Sequence, residues 1–135
     1  MQNVGQLILT ILGLFPKEWG IVAEIHETDD PRFILIFEDK PWNWSARWCI
    51  VQALNLFVRR NTLFLVCQDG AWGYIRTDQL RSYPIKERRE EIAMKFFKDL
   101  KISPGELCSV LNPDKHFLLS GVEDKVLYEK AGKLW

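Results

Sequence analysis

The sequence has no excess of charge of either sign, since 18 lysine and arginine residues are matched by 18 aspartate and glutamate residues. A protein whose main partner is nucleic acid concentrates Lys and Arg on one face to neutralise phosphates. The balanced composition therefore argues against nucleic acid as the partner, and only a local basic patch would change that expectation.

Cysteine and histidine are scarce, and the chain has only Cys49, Cys67, Cys108, His26 and His116. The odd cysteine count and wide spacing argue against a disulfide framework and favour a reducing cytoplasm. A zinc site would need both histidines, and no C-x-x-C or H-x-x-x-H pair supports one. We therefore expect no metal, no other cofactor and a cytoplasmic location.

The sequence also lacks a long apolar run and a glycine-rich phosphate loop. Its first apolar segment, Leu7 to Phe15, is far shorter than the roughly 20 residues that cross a bilayer. No basic residue precedes this segment and no small-residue cleavage site follows it, which argues against a signal peptide. Without a P-loop or a G-x-G-x-x-G motif, nucleotide binding has no support. We expect no membrane span.

The chain does have enough apolar residues for one folded core, because 47% of its 135 residues are hydrophobic and 27% are charged. A chain of this length suits one domain and can bury a core without disulfides or metals. No repeat, low-complexity tract or linker divides it. We therefore expect a single domain over residues 1–135.

Apolar periodicity predicts the elements of the first half of the chain. Val4 to Phe15 reads as a helix, followed by a hairpin of two strands, Trp19 to Glu27 and Arg32 to Glu38. A mostly buried helix from Trp44 to Arg60 comes next, with Asn43 or Ser45 as its cap.

A second hairpin is predicted around Asp69-Gly70. This dipeptide separates two apolar runs, Leu63 to Cys67 and Trp72 to Arg76. An Asp-Gly turn between such runs is a strong hairpin signal, because the turn needs positive φ angles.

The second half of the chain predicts mainly helices. Ile85 to Lys101 is amphipathic, and Ser103 to Glu106 forms a capping box for another short helix. Phe117 to Leu119 reads as a short apolar segment, either a strand or extended chain. Ser120 to Glu123 repeats the capping signature and predicts a final helix, with a strand at Val126 to Tyr128 as the alternative.

These elements together predict an α+β fold. Its sheet would be antiparallel, with four or five strands and with helices packed mainly on one face. The order along the chain would be α-β-β-α-β-β-α-α-(β)-α.

Catalytic signatures are weak. A nucleophile needs a neighbouring base, and the sequence has no G-x-S-x-G elbow or Cys-Gly motif beside either histidine. The acidic pair Asp29-Asp30 precedes a proline and is accounted for by a turn. We expect no catalytic residue, and a small enzyme with His26 or His116 as its base remains the third hypothesis.

Aromatic residues are the strongest candidates for a binding site. Trp44 and Trp48 share one helix face and are expected in the core. Trp42, Trp72 and Trp135 fall outside that stripe, and for them the sequence leaves an exposed interface and packing in the core equally open. The partner-binding residues predicted from the sequence are Trp42, Trp72, Tyr74, Phe33 and Trp135.

The central segment is similar to a known group of small α+β domains. Ala53-Leu54-Asn55 lies late in the predicted helix, ahead of a strand, the Asp69-Gly70 turn and a second strand. Over Leu7 to Leu100 this order resembles type III secretion chaperones and the related YbjN-like domains. Those chaperones are usually acidic, whereas this chain is neutral and richer in tryptophan. The resemblance implies a non-catalytic module that binds an extended or amphipathic segment of another protein, often as a dimer.

The leading functional hypothesis is a protein-binding module, acting as an assembly factor, chaperone or adaptor. Its partner would be a peptide segment held by an apolar groove or a sheet edge. The alternative is an inhibitor or immunity-type protein that blocks a folded target. A homodimer formed through an edge strand is compatible with either hypothesis.

Overall fold

The computed structural model of the chain describes residues 12–19, 26, 29–30, 32–38 and 42–133. It has a 3-10 helix at Lys17–Trp19 followed by α1 (Trp44–Arg59), β1 (Leu65–Gln68), β2 (Trp72–Tyr74), α2 (Asp78–Arg81), α3 (Lys86–Lys98), α4 (Pro104–Leu111), β3 (Leu118–Val122) and α5 (Lys125–Gly132). The fold is α+β, as the sequence predicts.

Several predictions for the first part of the chain fall partly or wholly outside these residues. The predicted helix Val4 to Phe15 is described only from residue 12, and residues 12 and 13 are helical. The strand Trp19 to Glu27 lies mostly outside the described residues, and Trp19 itself ends the 3-10 helix. Trp135 also lies outside them. Arg32 to Glu38 is described and forms no strand, so its prediction as a strand is wrong.

Helix α1 confirms the prediction of a mostly buried helix. The side chain of Asn43 accepts hydrogen bonds from the backbone N–H groups of Ser45 at 3.0 Å and Ala46 at 3.2 Å. These bonds satisfy two of the free donors at the helix start. Val51 and Phe57 are among the most deeply buried residues of the protein. The helix therefore belongs to the core over most of its length.

The two tryptophans of α1 have different surroundings. The Trp48 ring packs against Phe97 of α3 at a centroid distance of 6.4 Å and adjoins the core, as predicted. Trp44 is 44% exposed, so its prediction as a core residue is wrong. Its ring centroid lies 5.0 Å from the Lys98 ammonium group, a contact at the protein surface.

Helix α4 lies between the other core elements and packs against α1, α3 and the sheet. Its start has the predicted capping box: Ser103 Oγ accepts from Glu106 N at 3.1 Å, and Glu106 accepts from Ser103 N at 2.6 Å. A Cβ atom at Gly105 would lie 2.8 Å from Leu119 and 3.0 Å from Val66. This glycine therefore allows α4 to approach the sheet closely.

The final helix is predicted correctly but its cap is not. Asp124 caps α5 by accepting from Leu127 N at 3.0 Å. Ser120, the predicted cap, instead lies in the middle of β3, where its backbone is extended and paired with both neighbouring strands. The alternative strand at Val126 to Tyr128 is not formed.

The three strands form a mixed sheet in the order β1-β3-β2. Strand β3 is parallel to β1 and antiparallel to β2. The predicted hairpin of Leu63 to Cys67 with Trp72 to Arg76 is therefore wrong, because its two strands flank β3 instead of pairing. The predicted antiparallel sheet of four or five strands is likewise not formed by the residues that the structure describes.

The link from β1 to β2 crosses β3 at Gly121. Gly70 has a φ angle of +74°, as expected for the Asp69-Gly70 turn. Ala71 follows and lies directly over Gly121, where any added Cβ would collide with the Ala71 carbonyl group. The backbone N–H of Glu123 donates to that carbonyl at 3.0 Å. The close crossing therefore requires glycine at position 121.

Replacing this glycine should destabilise the fold. Gly121→Ala places a methyl group against backbone atoms that cannot move aside, so we expect the free energy of unfolding to fall by about 3 kcal/mol or more. Gly132→Ala is the matched control, because nothing lies within 4 Å of its Cβ position in α5. Urea unfolding of both variants would check this. Equal free energies of unfolding for the two variants would contradict the close approach of Ala71 to Gly121.

Cys108 belongs to a small polar cluster inside the core. Its thiol donates to Asn55 Oδ1 at 3.4 Å, and Asn112 Nδ2 donates to the same oxygen at 2.6 Å. Burial raises the pKa of the Cys108 thiol to about 12, and the hydrogen bond from Asn112 opposes part of that rise. The reason is that a buried thiolate loses its hydration. The folded protein therefore keeps this thiol protonated in mildly alkaline solution.

This pKa predicts a specific loss of stability at high pH. Above about pH 9 the unfolded thiol ionises while the folded one does not, so unfolding becomes more favourable as pH rises toward 12. Between about pH 8 and about pH 10, the wild type should lose about 1 kcal/mol more than Cys108→Ala. Cys67→Ala, which removes an exposed thiol, should behave like the wild type. Equal losses in all three proteins would contradict the prediction.

Candidate functional site

The face of β3 that points away from α4 is apolar and open. Leu118 and Val122 are 54% and 59% exposed, whereas Leu119, on the opposite face, is 4% exposed and packs toward α4. The alternation follows from the pleat of a strand, in which successive side chains point to opposite faces. The central strand therefore contributes two aliphatic side chains to the surface.

The neighbouring strands add to the same face. Leu65 is paired with Leu118, Trp72 with Val122, and Tyr74 with Ser120, and residues paired across strands share a face. We call this surface the outer sheet face, and its members are Leu65, Cys67, Trp72, Tyr74, Leu118, Ser120 and Val122. A contiguous exposed patch with this composition marks an interaction site more often than scattered apolar residues do.

Helix α5 covers one end of the outer sheet face. The ring of Tyr128 lies against that of Trp72, with centroids 4.8 Å apart and ring planes at 52°. Trp72 remains 38% exposed, whereas Tyr74 is 76% exposed. Trp72 therefore holds α5 against the sheet as well as presenting an edge to solvent.

The structure brings together only part of the aromatic set predicted from the sequence. Trp72 and Tyr74 are next-but-one neighbours on the outer sheet face. Trp42 is 85% exposed but precedes α1 and belongs to a different element. Phe33 is half-buried, and its ring packs against that of Phe57 at 6.0 Å. Trp135 lies beyond the last described residue.

Sequence reasoning missed the aliphatic members of the outer sheet face. Leu118 and Val122 come from β3, which the sequence predicts only as a short strand or extended segment at Phe117 to Leu119. The alternation of Leu118, Ser120 and Val122 could have indicated a longer strand with two faces. Nothing local could have shown that β3 lies between the other two strands.

A cleft of about 470 Å³ opens at one end of this face. Tyr74 and Leu118, both members of the outer sheet face, line it together with Phe64. Its polar lining includes Arg76, Asp78, Arg81 and His116. The cleft thus joins an apolar surface to charged groups.

Arg81 connects α2 to the loop before β3. Its Nη2 donates to the carbonyl oxygens of Pro113 at 3.0 Å and Lys115 at 2.8 Å. It also lies 3.3 Å from Nδ1 of His116. A guanidinium group can only donate, so Nδ1 is the side of the His116 ring that can accept in this contact. Arg81 therefore fixes the loop that forms one wall of the cleft.

The hydroxyl groups of the cleft are paired with each other. Thr77 Oγ1 and Ser109 Oγ lie 2.9 Å apart, and one donates to the other. Among the described residues, neither hydroxyl group forms a hydrogen bond with His116, whose Nδ1 faces Arg81. A nucleophile activated by a histidine base would need such a bond.

In the part of the chain that the structure describes, no three His, Cys, Asp or Glu side chains are grouped as metal ligands would be. None of the described helices has the length and apolar character needed to cross a membrane. Comparison with family models, curated proteins and solved structures finds no match to this chain. The resemblance to type III secretion chaperones therefore stays a prediction, and part of it relied on a hairpin that is not formed.

Two of the exposed tryptophans, Trp42 and Trp72, should differ in their effect on stability. Trp42→Ala removes a side chain with few neighbours, so we expect a change in the free energy of unfolding within about 0.5 kcal/mol. Trp72→Ala removes the contact with Tyr128 and should cost about 2 kcal/mol. Trp72→Phe, which keeps an aromatic ring, should lie between them. Urea unfolding would measure all three, and equal effects at the two positions would contradict the packing of Trp72.

Proposed function

We propose that this protein is a non-catalytic protein-binding module that holds a segment of a partner on its outer sheet face. One observation carries the proposal: Leu65, Trp72, Tyr74, Leu118 and Val122 come from three strands and expose apolar surface on the same side of the sheet. A chain gains free energy by covering such surface, at roughly 25 cal/mol per Å² removed from water.

The sheet edges that border the outer sheet face could also pair with the backbone of a segment bound on that face. Among the described residues, β1 and β2 are each hydrogen-bonded to one neighbouring strand, β3. Their outward backbone groups can therefore pair with an added strand, a common mode of peptide recognition. A segment added at β2 would pass beside Trp72 and Tyr74. An assembly factor, chaperone or adaptor would use this kind of binding.

The cysteines are compatible with action in a reducing compartment such as the cytoplasm. Cys49, Cys67 and Cys108 are all free thiols. Disulfides are rare in that compartment, whereas exposed thiols such as Cys67 persist there. We therefore propose that the partner is met in the cytoplasm.

Peptide selection on the purified protein tests the proposed surface. A random peptide library should yield binders whose affinity falls at least tenfold in Leu118→Glu, because the new carboxylate would have to lose water beneath the peptide. Ile85→Glu is the matched control: Ile85 is also half-exposed and apolar, but it caps α3 and belongs to neither the outer sheet face nor the lining of the cleft. Circular dichroism would show that both variants fold.

The control variant should bind the selected peptides as tightly as the wild type does. A library without binders would contradict the proposal. So would binders that tolerate Leu118→Glu, because the partner would then contact another surface.

A further inference from the structure

The cleft beside the outer sheet face has a charge that no described group neutralises. Arg76 and Arg81 line it together with a single carboxylate, that of Asp78. The ion pairs among the described residues are Arg32 with Asp30 and Arg88 with Glu91, so none involves a residue of the cleft. The two guanidinium groups and the one carboxylate leave the cleft one net positive charge.

Arg81 still has donors to offer within this cleft. All its recorded hydrogen bonds use Nη2. Nη1 has no bond among the described residues and is the donor left for a ligand, because Nε, which has no bond either, is buried. Arg76 is exposed and likewise makes no recorded side-chain bond in that part of the chain. Both guanidinium groups can therefore donate to a further acceptor.

We infer that the segment bound on the outer sheet face carries an acidic side chain that enters the cleft and pairs with Arg81 and Arg76. The inference rests on the proposed function and names the chemistry of its partner. Tyr74 and Leu118 belong to both surfaces, so a segment lying along the sheet reaches the cleft within a few residues. One apolar stretch followed by one Asp or Glu fits the two surfaces together.

The charge of the lining favours a carboxylate over a phosphate group. One carboxylate balances the single net positive charge of the cleft. A phosphate group carries about −1.5 to −2 charges at neutral pH, so Asp78 would repel it more strongly than it repels a carboxylate. Arginine binds a carboxylate through two parallel hydrogen bonds, which fixes the orientation of the segment.

Selected peptides test this inference directly. Peptides from a random library, selected on the wild-type protein, should share an Asp or Glu at a fixed spacing from their apolar residues. Resynthesis with Gln in place of Glu, or Asn in place of Asp, should weaken binding about tenfold, as loss of a charged hydrogen bond does. Arg76→Glu should remove that difference between the acid and the amide peptide. Arg81 is left unchanged, because its bonds hold the loop at Pro113 and Lys115.

Arg88→Glu is the matched control. It changes the net charge of the protein by the same amount, but Arg88 lies on α3 and is 64% exposed in its pair with Glu91. The difference between acid and amide peptide should persist in this variant. Calorimetry of the wild type and both variants with both peptides gives the six affinities needed.

The outcomes separate the two proposals. If the peptides depend on Leu118 and yet bind with equal affinity in their acid and amide forms, the inference of an acidic side chain is overturned and the proposed function stands. The inference of an acidic side chain is also overturned if the difference in affinity between acid and amide peptide persists in Arg76→Glu. It is overturned as well if the C-terminal carboxylate of the peptide causes that difference. If no peptide depends on Leu118, the proposed function fails and this inference fails with it.

Discussion

The structure depends on the position of β3 between β1 and β2. These outer strands are joined by only three residues, yet a strand separated from β2 by 43 residues lies between them. The short link can cross β3 because Gly121 has no side chain beneath the carbonyl group of Ala71. The insertion also brings Leu119 against α4 and turns Leu118 and Val122 outward. The position of β3 therefore forms both a part of the core and the candidate site.

Much of the local structure could be predicted because its signals act between near neighbours. The cap at Asn43, the capping box at Ser103 and the start of α3 depend on residues within one or two helical turns. The Asp69-Gly70 turn was also predicted correctly as a turn. The prediction was wrong about which strands pair. A turn of this kind reverses the chain whether or not the two strands that it joins become neighbours in the sheet.

The candidate site could be predicted only in part, for the same physical reason. Trp72 and Tyr74 alternate on one short strand, and their shared face follows from the sequence. Leu65 and Leu118 become neighbours through strand pairing between distant parts of the chain, which no local pattern encodes. Arg81 reaches the loop before β3 in a similar non-local way. The sequence therefore indicated aromatic contacts but neither the aliphatic surface nor the charged cleft.

The outer sheet face and the cleft act as one surface in this account. The apolar side chains would provide most of the binding free energy, and the arginines would select and orient the bound segment. The fold supports both, since α4 holds the sheet from behind and Arg81 holds the loop at its end.

The most direct test of this account is to locate a selected peptide on the protein by nuclear Overhauser contacts. We expect contacts from the peptide to the methyl groups of Leu65, Leu118 and Val122. Contacts confined to Trp42 and the start of α1, with none to the methyl groups of β3, would contradict it.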